Sequence, residues 1–220
     1  MKRLFVIITC LILAACATSK VTEEDKYSGF LDDYSQLMEK EMANGGVGLI
    51  WVDPDIAERG YTKALLEPVV IYPEPKRDSD EAKALIKEVT TYMNAAIQGE
   101  VGQILIITDN PGPNTVRVRF ALTGVDISSK NLASYEYVPV ALIFAGAKSA
   151  AGKRAQVVEV FFEAEMQDSV SGEVLGRAVR KGFGQSLQNK SSELTKEHMY
   201  PQLDLWAEDA GKIANLVNGL

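Results

Sequence analysis

The sequence predicts an α/β chain of the α+β kind: one domain, with a mixed or mostly antiparallel sheet and two main helices packed on one of its faces. Three observations carry this expectation. Residues 115–127 and 157–167 alternate apolar and polar side chains, the period of a half-buried strand. Residues 168–172 (DSVSG) read as the loop of a hairpin whose second strand is 173–183. Residues 79–98 and 202–217 repeat apolar side chains at helical spacing. Strands and helices in this order favour helices gathered over a sheet.

The chain opens with Lys2 and Arg3, followed by a ten-residue apolar run over 4–13. That run suits a signal-peptide core but falls short of the ~20 apolar residues that span a bilayer. Leu13-Ala14-Ala15-Cys16 resembles the lipobox of bacterial lipoproteins. The resemblance implies cleavage before Cys16, a diacylglycerol on its thiol and a further acyl chain, of the palmitate kind, on the new amine. Several acyl chains together give stable membrane attachment, whereas one alone gives reversible binding. The expected division is a signal peptide at 1–15, a lipidated tether at 16–26 and a periplasmic domain at 27–220. Ala17 stands where an Asp retains such proteins at the inner membrane of enteric-type bacteria. The same resemblance therefore implies the outer membrane, facing the periplasm.

Removing Lys2 and Arg3 takes the formal net charge from −7 to −9. Such an acidic chain is a poor nucleic-acid binder and is not drawn electrostatically to anionic lipid. The two cysteines are Cys10, within the leader, and Cys16. The mature domain is thus expected to have no disulfide, no thiol nucleophile and no Cys metal ligand.

The elements follow in order. Residues 27–41 suggest a loop and then a helix, with Phe30, Leu31, Tyr34, Leu37 and Met38 near helical spacing, stopped at Asn44-Gly45-Gly46. Residues 47–52 read as a strand ended by Asp53-Pro54. Residues 64–72 read as another, and Pro68 within it points to an edge or a bulge. In the helix at 79–98, Ser79 is a candidate cap, Asp80 and Glu81 suit the dipole, and Leu85, Ile86, Val89, Met93 and Ile97 form the stripe. Residues 103–108 read as a strand and 109–114 (DNPGPN) as a turn. Along 115–127, Val116, Val118, Phe120 and Leu122 point opposite to Arg117 and Arg119. Along 157–167, Glu159, Glu163 and Glu165 share the outer face. These charges are expected to form a solvated face with cross-strand ion pairs worth a few tenths of a kcal/mol each. Pro201 suits the first turn of the last helix, which carries Trp206, Ala210, Ile213 and Val217 as its stripe.

Catalytic patterns are sparse. His198 is the single histidine, which leaves no spaced metal-ligand set and argues against a Ser-His-Asp triad. The segment Gly45-Gly46-Val47-Gly48 lacks the third glycine and the context of a dinucleotide fingerprint and reads as a turn. Asp53 and Asp55 read as loop residues rather than a calcium or catalytic pair. Residues 138–147 (VPVALIFAGA), running into Lys148, Lys153 and Arg154, stand out. One reading is an interaction patch of Val140, Leu142, Ile143, Phe144, Lys148, Lys153 and Arg154, meeting lipid or protein. The other is a buried helix or strand followed by a small-residue loop.

The order and spacing of several short motifs carry a wider resemblance. These are 27–34 (YSGFLDDY), Val52-Asp53-Pro54, 65–69 (LLEPV), 163–168 (EAEMQD), Ser171-Gly172-Glu173 and the Trp206 helix. Together they resemble the lipoprotein family catalogued as domain of unknown function 3313, over nearly all of the mature chain. The hairpin before a closing helix is also similar, in fold alone, to periplasmic domains of the TolB N-terminal and curli-secretion lipoprotein type. Fold does not give function. The expectation is a lipid-anchored envelope domain without cofactor or metal that binds or scaffolds an envelope partner without catalysis. One alternative is an envelope hydrolase using dispersed carboxylates. Another is a small-ligand carrier, which requires an apolar pocket between helices and sheet.

Overall fold

The computed structural model describes residues 21–42, 46–74, 80–129, 156–184 and 196–220. Cys16, the leader and the patch from Val140 to Arg154 lie outside the described residues.

The longest strands are β6 (Thr115–Ser129) and β7 (Gln156–Asp168), where the alternation is strongest. They pair antiparallel, with Phe120 opposite Ala164, Arg119 opposite Glu165 and a register shift after Leu122. The turn at 169–173 reverses the chain into β8 (Val174–Phe183). Its Gly172 has φ of +75°, where a side chain would be strained. Asp168 holds the turn by accepting the N–H groups of Val170 (3.0 Å) and Ser171 (2.7 Å).

Beyond β8 lie β2 (Val47–Val52) and then β1 (Met38–Glu41), both antiparallel to their neighbours. On the other side, β3 (Lys63–Leu66) and β4 (Val70–Ile71) run parallel to β6. The short β5 (Ile106–Ile107) closes that side, parallel to β3. The sheet is therefore mixed and eight-stranded among the described residues.

Pro68 explains why the strand expected over 64–72 is two strands. Its ring nitrogen cannot donate, so the ladder breaks between Glu67 N–H, which reaches Val118 O (2.8 Å), and Tyr72 N–H, which reaches Leu122 O (3.0 Å). Val69 N–H leaves the ladder and donates to Asn94 Oδ1 (2.8 Å) on the first helix.

Helix α1 (Asp80–Val101) and helix α2 (Tyr200–Val217) cover one face of the sheet. Val89, Met93, Ile97 and Val101 from α1, with Leu203, Trp206, Ala207, Ala214 and Val217 from α2, join Val116, Phe120, Leu122, Val160, Phe162 and Met166 in one core. Tyr92 and Tyr200 stack between the helices at 3.8 Å.

The helix expected near 27–41 is not formed. A short 3-10 turn (Glu24–Lys26) precedes an irregular segment, and Met38–Glu41 is strand β1. Phe30 and Leu31 are buried in a second, smaller core with Ala121 and Val179, on the sheet face away from the helices. Gly29, at φ of +82°, interrupts helical geometry in this stretch. The near-helical spacing belongs to a strap that crosses the strands, residues 21–37.

Candidate functional site

The strap overlies the row of charges that the sequence placed on a solvated face. That face is instead covered: Glu159, Glu163 and Glu165 are each 2% exposed or less. Glu165 accepts from Arg119 Nε (3.0 Å), Arg177 Nε (2.8 Å) and Gln167 Nε2 (2.8 Å). Glu163 accepts from the strap itself, from Ser28 N–H (3.0 Å) and the Tyr34 hydroxyl (2.7 Å). Burial and the neighbouring Glu163 push the Tyr34 hydroxyl up to about 12. Lys181 lies 3.5 Å from Glu159 and 3.8 Å from Glu23. The strap adds Asp33, 3.3 Å from Arg177, and Phe30, whose ring lies 4.6 Å from the Arg119 guanidinium. Arg117 pairs with Glu67 rather than with the β7 glutamates. Carboxylates buried in this way need their hydrogen bonds and ion pairs.

The opposite face offers open space. Its strand register sets Ile50, Ala178, Ala164 and Phe120 side by side across β2, β8, β7 and β6. One step along lie Val52, Gly176 and Met166. Two alanines and a glycine thus occupy the middle of the sheet, and Ala210 and Ala214 of α2 line the same space. The result is a cavity of about 120 Å³ walled by these residues with Val116, Val118, Ile97, Val101, Phe162 and Ile213. That approaches the ~150 Å³ of an apolar protein cavity known to hold benzene.

An ion pair stands in the wall of this cavity. Arg180 Nη1 donates to Asp209 Oδ2 at 2.9 Å, with the two side chains 7% and 5% exposed. Lys212 lies 3.4 Å from the other Asp209 oxygen. Gly48 makes room for the arginine: a Cβ there would sit 2.4 Å from Arg180 Cδ. Trp206, also in the wall, stacks on Phe162 at 5.2 Å, and its Nε1 is buried with no hydrogen-bond partner among the described residues. A cleft of about 250 Å³ adjoins the cavity and shares Leu66, Ile97 and Phe120 with it. Glu67, Asn94, Gln98, Thr108 and Asp109 give that cleft its polar lining, beside the break at Pro68.

The remaining candidates take their places. Asp53 and Asp55 form a loop, with Asp55 N–H donating to Asp53 Oδ1 (2.9 Å). Arg59 pairs with Asp53 and forks onto Glu173 at 2.8 and 2.9 Å, holding the Glu173 carboxyl below its usual range. The Ser171 N–H chiefly holds Asp168 low, with help from the Tyr61 hydroxyl at 2.9 Å. His198 ends a 3-10 turn (Lys196–His198) before α2. Among the described residues, no group of three or more His, Cys, Asp or Glu could hold a metal ion, and no helix is long and apolar enough to cross a membrane. Sequence reasoning missed the cavity. Its signal was present in β8, where Gly176, Ala178, Arg180 and Gly182 share one face.

Comparison with known proteins gives the following. The family described as protein of unknown function DUF3313 matches residues 26–210. The uncharacterized lipoprotein YdcL of Escherichia coli, found in two strains, is 36% identical over 200 residues, covering 91% of this chain and 90% of that protein. Among solved structures, a PelC dodecamer from Paraburkholderia phytofirmans aligns with a TM-score of 0.33 at 12% identity, covering 78% of this chain and 95% of that one. A neuraminyllactose-binding hemagglutinin homolog from Helicobacter pylori aligns at 0.30 and 8% identity, covering 72% and 86%. At these scores no property of either protein transfers to this chain.

Proposed function

This chain belongs to the DUF3313 family, and on that footing we propose that it is a membrane-anchored envelope lipoprotein whose domain binds a small apolar ligand without catalysis. The cavity between sheet and helices carries the binding reading. It is the feature that a small-ligand carrier requires, and its walls are almost wholly apolar. An unfilled apolar cavity leaves its lining short of dispersion contacts, so a fitting guest is stabilised by filling it. A carboxylate hydrolase finds less support. The buried glutamates of β7 are engaged by Arg119, Arg177, Lys181 and Tyr34, and among the described residues the acidic groups whose pKa moves (Asp33, Asp168 and Glu173) all move down.

The lipoprotein kinship of YdcL supports a lipid anchor, which we place on Cys16 after removal of residues 1–15, at the periplasmic face of the outer membrane. Cys16→Ala is expected to abolish acyl labelling and leave an uncleaved precursor. A cleaved, membrane-retained Cys16→Ala protein would overturn the assignment.

Binding is tested with the mature protein in lipid nanodiscs. Saturable uptake of n-pentane or benzene, at measured free concentrations, should raise its Tm by mass action. Ala178→Leu, which fills the space between Ile50 and Ala164, should abolish the uptake while retaining the fold by circular dichroism. Uptake equal in wild type and Ala178→Leu, or none in wild type, refutes the site.

A further inference from the structure

We infer that the cleft beside Pro68 is a second binding site, for a single neutral ring bearing several hydroxyl groups, of the sugar or cyclitol kind. It does not depend on the apolar cavity being occupied, because its walls offer a different chemistry.

The cleft forms where three elements meet. The chain between β3 and β4 brings Glu67, helix α1 brings Asn94 and Gln98, and the chain leaving β5 brings Asp109. A spacing of four sets Asn94 and Gln98 one turn apart on the same side of α1. The break at Pro68 frees Val69 N–H from the ladder, and its bond to Asn94 Oδ1 (2.8 Å) fixes that amide beside the break.

These polar groups keep hydrogen-bonding capacity to spare. Both Arg117 contacts fall on Glu67 Oε1, which leaves Oε2. Val69 uses the Asn94 oxygen, which leaves the two N–H donors of that amide. The Gln98 amide and the Asp109 carboxylate form no side-chain hydrogen bond or ion pair among the described residues. Donors and acceptors are therefore both on offer. The wall as a whole is divided about evenly between polar and apolar atoms, with Leu66, Ile97, Ile107 and Phe120 on the apolar side. A sugar ring has the matching character: its hydroxyls donate and accept, and its C–H faces are apolar. A hydroxyl donating to a carboxylate makes one of the stronger hydrogen bonds. The volume of about 250 Å³ falls below the ~300–1,000 Å³ of sites for drug-sized ligands, so the cleft takes one ring rather than an oligomer.

Charge selects the neutral ring. No Lys or Arg lines the cleft, so an anionic sugar would meet Glu67 and Asp109 without a cation of its own. An organic cation could pair with Asp109, but that residue is exposed, where an ion pair is worth little, and the amide donors would go unused.

The test titrates the ¹⁵N-labelled mature protein in nanodiscs with D-glucose, D-galactose, D-mannose and myo-inositol, and with D-glucuronate and cyclohexylamine for comparison. At least one of the four polyols should give saturable shifts of the Asn94 and Gln98 side-chain amide signals and of the Asp109 backbone amide. Glucuronate should bind more weakly than glucose, and cyclohexylamine more weakly than the best polyol. Asn94→Asp keeps an acceptor for Val69 N–H and removes the two donors; Gln98→Leu removes an amide from an exposed position. Each should weaken polyol binding roughly three- to tenfold, the range one net hydrogen bond supplies, with the fold retained by circular dichroism. Should Asn94→Asp fail to fold, Gln98→Leu alone carries the comparison. Absence of saturable shifts with all four polyols, tighter binding of cyclohexylamine or glucuronate than of any polyol, or polyol affinity unchanged in Gln98→Leu overturns the inference. Pentane uptake is read separately, so the failure of either site leaves the other standing.

Discussion

Replacing Asp209 with alanine should be among the most damaging single changes in this domain. The substitution leaves the Arg180 guanidinium in a site where its side chain is 7% exposed, with its carboxylate partner gone. Breaking a buried pair from one side costs about 3–5 kcal/mol, because the remaining charge loses its compensation. For a domain of about 200 residues, each kcal/mol shifts Tm by about 2–4 °C, which predicts a fall of about 6–20 °C. Thermal unfolding of the mature protein followed by circular dichroism reads this directly. The double variant Arg180→Met/Asp209→Leu removes both charges and keeps side-chain volume, so it should recover most of the loss. A fall of less than 3 °C for Asp209→Ala, or a double variant no more stable than the single one, refutes the view that this pair is a desolvated, mutually dependent unit.

Three further outcomes follow from the same geometry. Asn94→Ala removes the acceptor of Val69 N–H at the break in the sheet edge; it should cost about 1–3 kcal/mol and speed hydrogen exchange at Val69 selectively, and unchanged exchange there would contradict the assignment. Gly48→Ala puts a Cβ 2.4 Å from Arg180 Cδ; a loss of about 1–3 kcal/mol is expected from overpacking, and it should shrink in an Arg180→Ala background. The Tyr34 hydroxyl is raised from 10.0 to about 12 in the folded protein. Its contribution to stability is therefore fully present below pH 10 and is lost as pH rises through 12, because the unfolded chain releases that proton first. Tyrosinate absorbance should show this residue titrating late, and Glu163→Gln should bring the titration back toward 10.

Much of the architecture could be read where a single periodicity ruled. The alternation of Val116, Val118, Phe120 and Leu122, and of Val160, Phe162, Ala164 and Met166, gave β6 and β7 their inward faces, and the stripes of α1 and α2 met them. Reading failed where two periodicities coincide. Phe30, Leu31, Tyr34 and Leu37 stand at near-helical spacing, but they belong to an irregular strap whose partners, Ala121 and Val179, lie about 90 and 150 residues later in the chain. The acidic row of β7 was placed on the correct face and given the wrong surroundings for the same reason: the cover comes from a segment with no local signature. The cavity was hidden because it is made by missing volume. Ala164, Gly176 and Ala178 become neighbours only once β7 and β8 are in register and α2 brings Ala210 and Ala214 above them.

The strap also determines how a load would enter the protein. Thr22 is already buried, and six peptide units separate it from Cys16. At the reach of an extended chain, that places the first seated residue within about 20 Å of a lipid carried on Cys16. A pull between membrane and domain would arrive at the strap's leading end. It would meet Glu23 against Lys181, then Ser28 on Glu163, then Asp33 on Arg177, then Tyr34 on Glu163, at successive points along the segment. Such a seam opens by peeling, one fastening after another, while the helices and the cavity on the far side of the sheet stay out of the line of force.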